Sequence, residues 1–569
     1  MPKHVVVIGA VALGPKAACR FKRLEPDAKV TLIDQAPRIS YGGCGIPYFV
    51  SGEVNSVTDL QSTPYHIIRD PEFFKINKDV DVLINTRATA IDTRAKTVVV
   101  ENALTRETQR LSYDKLVLAM GSKPNIPPFE GRDLKGITPA TNLDEAELLR
   151  NAVASGSVNK CVIVGAGFIG LEMAVAFADM WGIETTVVEL QDQVMPGFLS
   201  QSMARMAQHD LEDKGVTVLL GESVRRFEGE DGAVARVVTD TRTLEADLVV
   251  LSVGVSPNTD IAKQAGIACD GRGAIIVNNQ MQTSNPDVYS GGDCVTIPNL
   301  ITGKSGFFPL GSMANRQGRV IGTNLAGGHA TFPGGVGSWV VKLFDQTACG
   351  AGLTIEAALR EGYDAISVHV EQFDRAHFFP EKALMALELV VDKTTRRVLG
   401  IQGMSEAGDA LTARINAMVP LLKDHATVED VSNLEIVYSP PFASAMDIIN
   451  AVGNVAENVL DGRNHVVSPT EFATLWAKRD ESDIYFLDSR LAANAEPLLE
   501  KYPNQWHSIP NEEIRQRINE LPADKPIVLV CNTGLRSYEA MLLLNELGRS
   551  NVRATAGGMA AQKRLGTTL

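Results

Sequence analysis

Along this chain, short unbroken apolar runs end in glycine and give way to stretches whose apolar residues recur every three or four positions. The first run is Val5-Val6-Val7-Ile8, closed by Gly9, with a helical pattern over 16–24 and a strand Val30-Thr31-Leu32-Ile33 ending at Asp34. Continuous apolar runs of this length fit strands buried on both faces, and strand, turn, helix, strand is the unit of a parallel sheet. The same order returns at Cys161-Val162-Ile163-Val164, with a helix predicted over 171–181 and a strand over 185–188 ending at Glu189. Two further strand-and-glycine signals, Leu116 to Gly121 and Leu248 to Gly254, read as chain crossings at a nucleotide cleft. Residues 327–455 alternate strands (339–344, 387–391) with a helix (410–422), and 456–466 form a short polar joint. At 467 a small α/β pattern restarts, with Ser468-Pro469-Thr470-Glu471 capping a helix and strands over 484–487 and 527–530. The fold class expected is α/β, in several domains.

The turns carry the first chemistry. Gly9-Ala10-Val11-Ala12-Leu13-Gly14 joins strand to helix, and an acid, Asp34, follows about 20 residues on. That is a dinucleotide pattern: a tight turn, a helix N-terminus for pyrophosphate and a carboxylate for a ribose hydroxyl. Val11 takes the place of the middle glycine, so plain α/β packing is the alternative for this copy. In the second copy, Gly165-Ala166-Gly167-Phe168-Ile169-Gly170, every glycine is present and Glu189 falls where a ribose 2′-hydroxyl would sit. Leu190-Gln191 beyond it supplies no arginine for a 2′-phosphate, which favours NADH over NADPH. Two fingerprints imply two nucleotides.

Between them lies Ile39-Ser40-Tyr41-Gly42-Gly43-Cys44-Gly45-Ile46-Pro47-Tyr48, one cysteine among three glycines before an apolar run. Proline in a first turn and the positive end of a helix dipole suit a thiolate. A buried structural cysteine in a glycine turn is the alternative. The seven cysteines are irregularly spaced in 569 residues, which is no disulfide framework, and no Cys-x-x-Cys pair or Cys/His cluster offers a metal site. Isolated thiols fit a reducing compartment. A net charge of −14 spread along the chain argues against a phosphate-tracking nucleic-acid binder. The apolar N-terminal run is too short and too weakly charged for a signal peptide, and none approaches the ~20 residues that span a bilayer. A cytoplasmic protein of three to four domains, with no nucleic-acid or membrane partner, is expected.

The order Gly9…Gly14, Cys44, Ala119-Met120-Gly121, Gly165…Gly170, Gly254 and Gly291-Gly292-Asp293 resembles the two-dinucleotide flavoprotein disulfide reductases over roughly residues 1–455. The resemblance implies an FAD-binding domain (1–150 and 252–326), an NAD-binding domain (151–251) and an α+β dimerisation domain (327–455). It places Asp34 on the FAD ribose and Asp293 on the ribityl chain. Gly9, Val11, Ala12, Gly14, Ser40, Ala119, Met120, Gly121, Gly292 and Ala314 would line the flavin site, with a helix over 314–325 aiming its dipole at the ring. Gly165, Gly167, Ile169, Gly170, Glu189 and Gly254 would hold NADH.

Within that family, Phe49 stands where glutathione-reductase-like members carry a second cysteine, and Ala12 where NADH peroxidases and oxidases carry a histidine. The remaining likeness is to the coenzyme A-disulfide reductase group, with Ser40 four residues before Cys44. It implies coenzyme A phosphates on Arg20 and Arg23, for which a solvated helix face is the alternative, and a dimer that sets Tyr438 near the partner's cysteine as a proton donor. Phe378-Phe379 and Gly43 depart from the group's pattern.

Residues 467–569 resemble a rhodanese domain. Ile527 to Val530 ends at Cys531, the loop Cys531-Asn532-Thr533-Gly534-Leu535-Arg536-Ser537 follows, and a helix is predicted over 538–547. Such a loop makes a nest of N–H groups that favours an anion on sulfur. Four residues separate Cys531 from Arg536, where cysteine phosphatases place five, and the Gly557-Gly558-Met559 turn also fits rhodaneses. An inactive rhodanese-like module is the alternative.

A lone Cys44 closes no internal disulfide, so its oxidised form is a sulfenic acid, a persulfide or a mixed disulfide. The expectation is an NADH-dependent, FAD-containing persulfide, polysulfide or coenzyme A-disulfide reductase and a homodimer. Cys44, of depressed pKa, would be the redox centre, with Cys531 and Arg536 carrying sulfane sulfur. Its rivals are an NADH oxidase or peroxidase, and a redox sensor or sulfur carrier with incidental turnover.

Overall fold

The computed structural model describes residues 3–569. The chain divides into two compact units, one of residues 1–190 with 222–335 and one of residues 191–221 with 336–569.

In the first unit the glycine-terminated apolar runs become central parallel strands. One sheet runs Val288–Ser290, Lys115–Leu118, His4–Ile8, Lys29–Ile33 and Asp81–Leu83, with every neighbour pair parallel. Val5, Val6 and Val7 are fully buried between its covering layers. Helix Leu13–Leu24 covers one face and packs against helix Gly311–Leu325, where Arg20 Nε donates to Thr323 Oγ1 at 3.1 Å. A second parallel set within this unit runs Glu184–Val188, Lys160–Val164, Leu248–Leu251 and Ile137–Thr138, behind helix Phe168–Trp181. The two predicted crossings meet: Ser122–Pro124 pairs antiparallel with Val255–Pro257.

The second unit holds two sheets of different kinds. Trp339–Leu343, Gln346–Gly352, Val398–Ser405, Leu384–Asp392 and Ala365–Phe373 form an antiparallel sheet, with helices Gly408–Lys423 and Ile448–Leu460 packed on it. The stretch read as a polar joint begins inside helix Ile448–Leu460, and Arg463 and Asn464 donate back to Asn458 O at 2.8 and 3.0 Å. The C-terminal sheet is parallel, in the order Val466–Val467, Val552–Thr555, Ile527–Val530, Tyr485–Asp488, Trp506–Ser508. Trp476 meets Phe486 and Trp506 edge to face at 5.1 Å in its core.

Ser468 caps helix Pro469–Ala477 as expected, its Oγ accepting from Glu471 N at 3.2 Å, while the Glu471 carboxylate takes a charge-assisted bidentate bond from Arg553 on strand Val552–Thr555. Two local expectations need correction. Helix Leu535–Glu546 starts three residues earlier than its sequence pattern suggests, so Arg536 lies in its first turn. Gly534, at φ +103°, allows that early start because glycine turns the chain where other residues are strained. The helix expected over 314–325 likewise begins earlier, at Gly311.

Candidate active site

Both fingerprint turns are tight enough to demand glycine. Gly9 has φ +107°, and a Cβ there would lie 2.0 Å from Ala119 O; on Gly14 it would lie 1.9 Å from Gly9 O. Only glycine lets strand, turn and helix approach this closely. In the second copy a Cβ on Gly165 would lie 2.5 Å from Ser252 O, and one on Gly170 would lie 2.0 Å from Gly165 O. Gly167 and Gly121 have nothing within 4 Å, which leaves open backbone for a ligand to approach. The two acids are held alike. Asp34 Oδ2 accepts from Ala10 N at 2.7 Å, and Glu189 Oε2 accepts from Ala166 N at 2.8 Å. Each carboxylate thereby closes its own turn. Burial pushes the Asp34 carboxyl up, against the N–H groups of Ala36 and Ala10, which pull it down.

Hydrogen bonds and close approaches hold the other predicted flavin residues. Ser40, at φ +51° and buried, donates its N–H to Ala10 O at 2.8 Å, which fixes the Cys44 stretch to the first turn beside Val11 and Ala12. Gly292 N donates to Gln317 Oε1 at 2.7 Å, and a Cβ there would lie 3.7 Å from that of Ala314. Met120 O and Gly121 O accept from Asn258 Nδ2 and N at 3.4 and 2.9 Å. Burial raises Asp293, partly offset by a hydrogen bond from Ser122 Oγ at 3.4 Å. The turns, the two acids and the open glycines fit FAD on the first fold and a pyridine nucleotide on the second.

Cys44 sits in the single turn Gly43–Gly45, ahead of helix Ile46–Ser51. That helix has six residues, too short for the dipole effect expected of it. The long helix Gly311–Leu325 also begins here: a Cβ on Gly311 would lie 3.9 Å from Cys44 Sγ. All seven cysteines are free, and Cys44 alone is exposed as a residue. Protein atoms nonetheless crowd its sulfur. Burial pushes the thiol above its ordinary value, the Glu172 and Asp293 charges push it further, and its own backbone N–H opposes them. The depressed pKa expected from sequence is therefore not supplied by these side chains. Two nearby carboxylates disfavour a third negative charge.

Glu172 was not among the residues singled out from sequence. It lies two positions after Gly170 on helix Phe168–Trp181, the only charged residue there before Asp179. A lone carboxylate on an apolar helix was the available signal. Tyr48 OH donates to Glu172 Oε1 at 3.4 Å, and Trp181 Nε1 donates to Val50 O at 2.9 Å, which docks the cysteine helix on the second fingerprint helix. Burial lifts the Glu172 carboxyl to about 7; the Tyr48 phenol is pushed up to about 12 and stays a donor.

These features fit known proteins closely. Residues 3–307 match the pyridine nucleotide-disulphide oxidoreductase model, and 340–448 match the dimerisation domain of the same family. The chain belongs to the pyridine nucleotide-disulphide oxidoreductases. As a member it is a flavoprotein oxidoreductase that uses FAD and NAD(P)H. Residues 456–564 match the rhodanese-like domain. An NAD(P)H sulfur oxidoreductase (CoA-dependent) of Pyrococcus abyssi is 34% identical over 80% of this chain and 98% of that protein. An NADH oxidase of Methanocaldococcus jannaschii is 32% identical over 77% of this chain and 95% of its own length. Among solved structures, a NAD-dependent persulfide reductase from A. fulgidus superposes with a TM-score of 0.92 at 38% identity, covering 98% of this chain and 99% of that one.

In the rhodanese-like domain Cys531 is buried at the end of strand Ile527–Val530. Its sulfur accepts from Gly534 N at 3.1 Å and lies 3.5 Å from Ser537 Oγ. Half-buried Arg536 follows in the helix's first turn. Of the predicted coenzyme A residues, Arg20 is engaged with Thr323 and Arg23 is exposed. Ile169 and Tyr438 are exposed, and Gly254 has φ +87°. Val437, Phe442, Met446 and Phe378 are further exposed apolar side chains of the dimerisation domain. Among the described residues no helix is long and apolar enough to cross a membrane.

Proposed function

We propose that this protein is an NADH-dependent reductase of persulfide, polysulfide or coenzyme A-disulfide substrates. Cys44 is its redox centre and Cys531 its carrier of sulfane sulfur. The observation that carries the reading is the exposed, unpaired Cys44 beside the first turn of helix Gly311–Leu325. With no thiol mate it takes its partner sulfur from outside the chain.

The residues divide the work. The turns Gly9–Gly14 and Gly165–Gly170 present backbone N–H groups to pyrophosphates, Asp34 and Glu189 take ribose hydroxyls, and Asp293 takes the ribityl chain. Buried Glu189, with no arginine after it, selects NADH by repelling a 2′-phosphate. When bound, FAD accepts hydride equivalents from the nicotinamide and supplies two electrons to sulfur. The Cys44 thiolate attacks the outer sulfur of R–S–SH, forming a Cys44 persulfide and releasing RSH. Two electrons and a proton then free Cys44 and HS⁻, so one NADH is spent per sulfur–sulfur bond. Tyr438 of a partner subunit in the homodimer protonates a leaving thiolate, and Arg20 and Arg23 hold coenzyme A phosphates. The relatives named for sulfur and persulfide reduction and the rhodanese-like domain support this reading over an NADH oxidase. Ala12, at the place of that group's histidine, supports it too.

Mass spectrometry of the purified protein tests it. Coenzyme A or an added sulfur on Cys44 is the expected result; a sulfenic or sulfinic acid with brisk NADH-dependent peroxide consumption would overturn the reading.

A further inference from the structure

The loop that carries Cys531 is seated on the last helix of the chain. Met559 N donates to Cys531 O at 2.8 Å and Ala560 N to Asn532 O at 2.9 Å, both from the first turn of helix Gly558–Arg564. A Cβ on Gly558 would lie 2.3 Å from Cys531 O, so helix and loop touch backbone to backbone. Behind the turn stands a residue of the other domain. His369, on strand Ala365–Phe373, lies so close that a Cβ on Gly557 would be 2.8 Å from its Cδ2 and 3.0 Å from its Nε2. The side chain of His369 is 3% exposed and its Nε2 is 3.2 Å from Glu371 Oε1, also buried. At the helix's other end Arg564 donates to Leu384 O at 2.9 Å and Met404 O at 3.2 Å, with its Nε 3.9 Å from Glu371 Oε2. The helix is pinned at both ends to the dimerisation domain.

We propose that His369 is a positioning residue for the sulfur-carrying loop. It backs Gly557, and helix Gly558–Arg564 passes that contact to the carbonyls of Cys531 and Asn532. The rhodanese-like domain therefore holds its reactive loop in shape only while docked on the dimerisation domain. The proposal rests on the reading of Cys531 as the sulfur carrier. Apolar residues would pack this interface at lower desolvation cost. Instead His369 Nδ1 and Glu371 Oε2 are buried without a hydrogen-bond partner, an expense that calls for a purpose other than stability.

The test is made on the full-length chain with His369→Ala and His369→Gln, by amide hydrogen exchange and by iodoacetamide labelling of Cys531. In His369→Ala the Met559 and Ala560 amides should exchange about tenfold faster and Cys531 should alkylate about fivefold faster, with strand Leu384–Asp392 unchanged. His369→Gln keeps an amide donor for Glu371 and should stay within about twofold of the parent. Unchanged exchange and labelling in His369→Ala, or loosening spread evenly over the unit, overturns the proposal. Arg564→Gln, which frees the helix's other end, provides a second route should His369→Ala fail to fold; an undisturbed Cys531 loop there overturns it equally. Neither readout uses a sulfur substrate. A failure of Cys531 to carry sulfur is seen separately, as no added sulfur on it after exposure to inorganic polysulfide.

Discussion

Tyr48 OH donates to Glu172 Oε1 at 3.4 Å, joining the helix that follows Cys44 to the helix of the second dinucleotide turn. The carboxyl of this pair is lifted to about 7 by burial, and its charge is one of two that push the Cys44 thiol up. Removing that charge in Glu172→Gln should lower the midpoint of Cys44 alkylation against pH by about half a unit. An unmoved midpoint refutes the coupling. The same carboxyl bears on stability. Because its folded pKa is raised, its contribution is fully present below the unfolded value of about 4.3 and is lost as pH rises through about 7, and Gln should remove that dependence.

Cys44→Ser removes the one exposed thiol and leaves both cradles intact. Turnover of persulfide, polysulfide and coenzyme A disulfide should fall at least about a thousandfold, while bound FAD is retained and still bleached by NADH. Anaerobic stopped-flow spectra separate the two half-reactions, and retained sulfur turnover ends the mechanism.

Cys531→Ser acts on the other module. Activity with sulfane-sulfur donors should drop about tenfold or more, with coenzyme A-disulfide reduction within about twofold of the parent. Steady-state rates with both substrates decide it, and equal losses would refute separate roles.

Glu189→Ala removes the buried carboxylate that closes the second glycine turn. The ratio of kcat/KM for NADPH to that for NADH should rise about tenfold, since a like charge no longer opposes the 2′-phosphate. A ratio that stays put would show that Glu189 does not discriminate.

Gly9→Ala places a Cβ 2.0 Å from Ala119 O on a residue at φ +107°. The strain should cost about 2–3 kcal/mol and release FAD, read as lost flavin absorbance and a lower Tm.

The sequence by itself determined the α/β class, the two dinucleotide turns, the lone Cys44 among glycines and the rhodanese-like domain. Those features are written in local spacing: Gly14 must be small because it meets Gly9 O five residues away, and a buried strand declares itself as an unbroken apolar run. Helix starts were missed by three residues at Leu535 and Gly311, where glycine and backbone contacts rather than apolar periodicity set the boundary. Only the tertiary structure decided what surrounds the sulfurs. Glu172 reaches Tyr48 across 124 residues, Gly311 meets Cys44, and His369 backs Gly557 from another domain. A thiol's charge state follows from distances, and neighbours brought together by sheet topology leave no periodic trace along the chain.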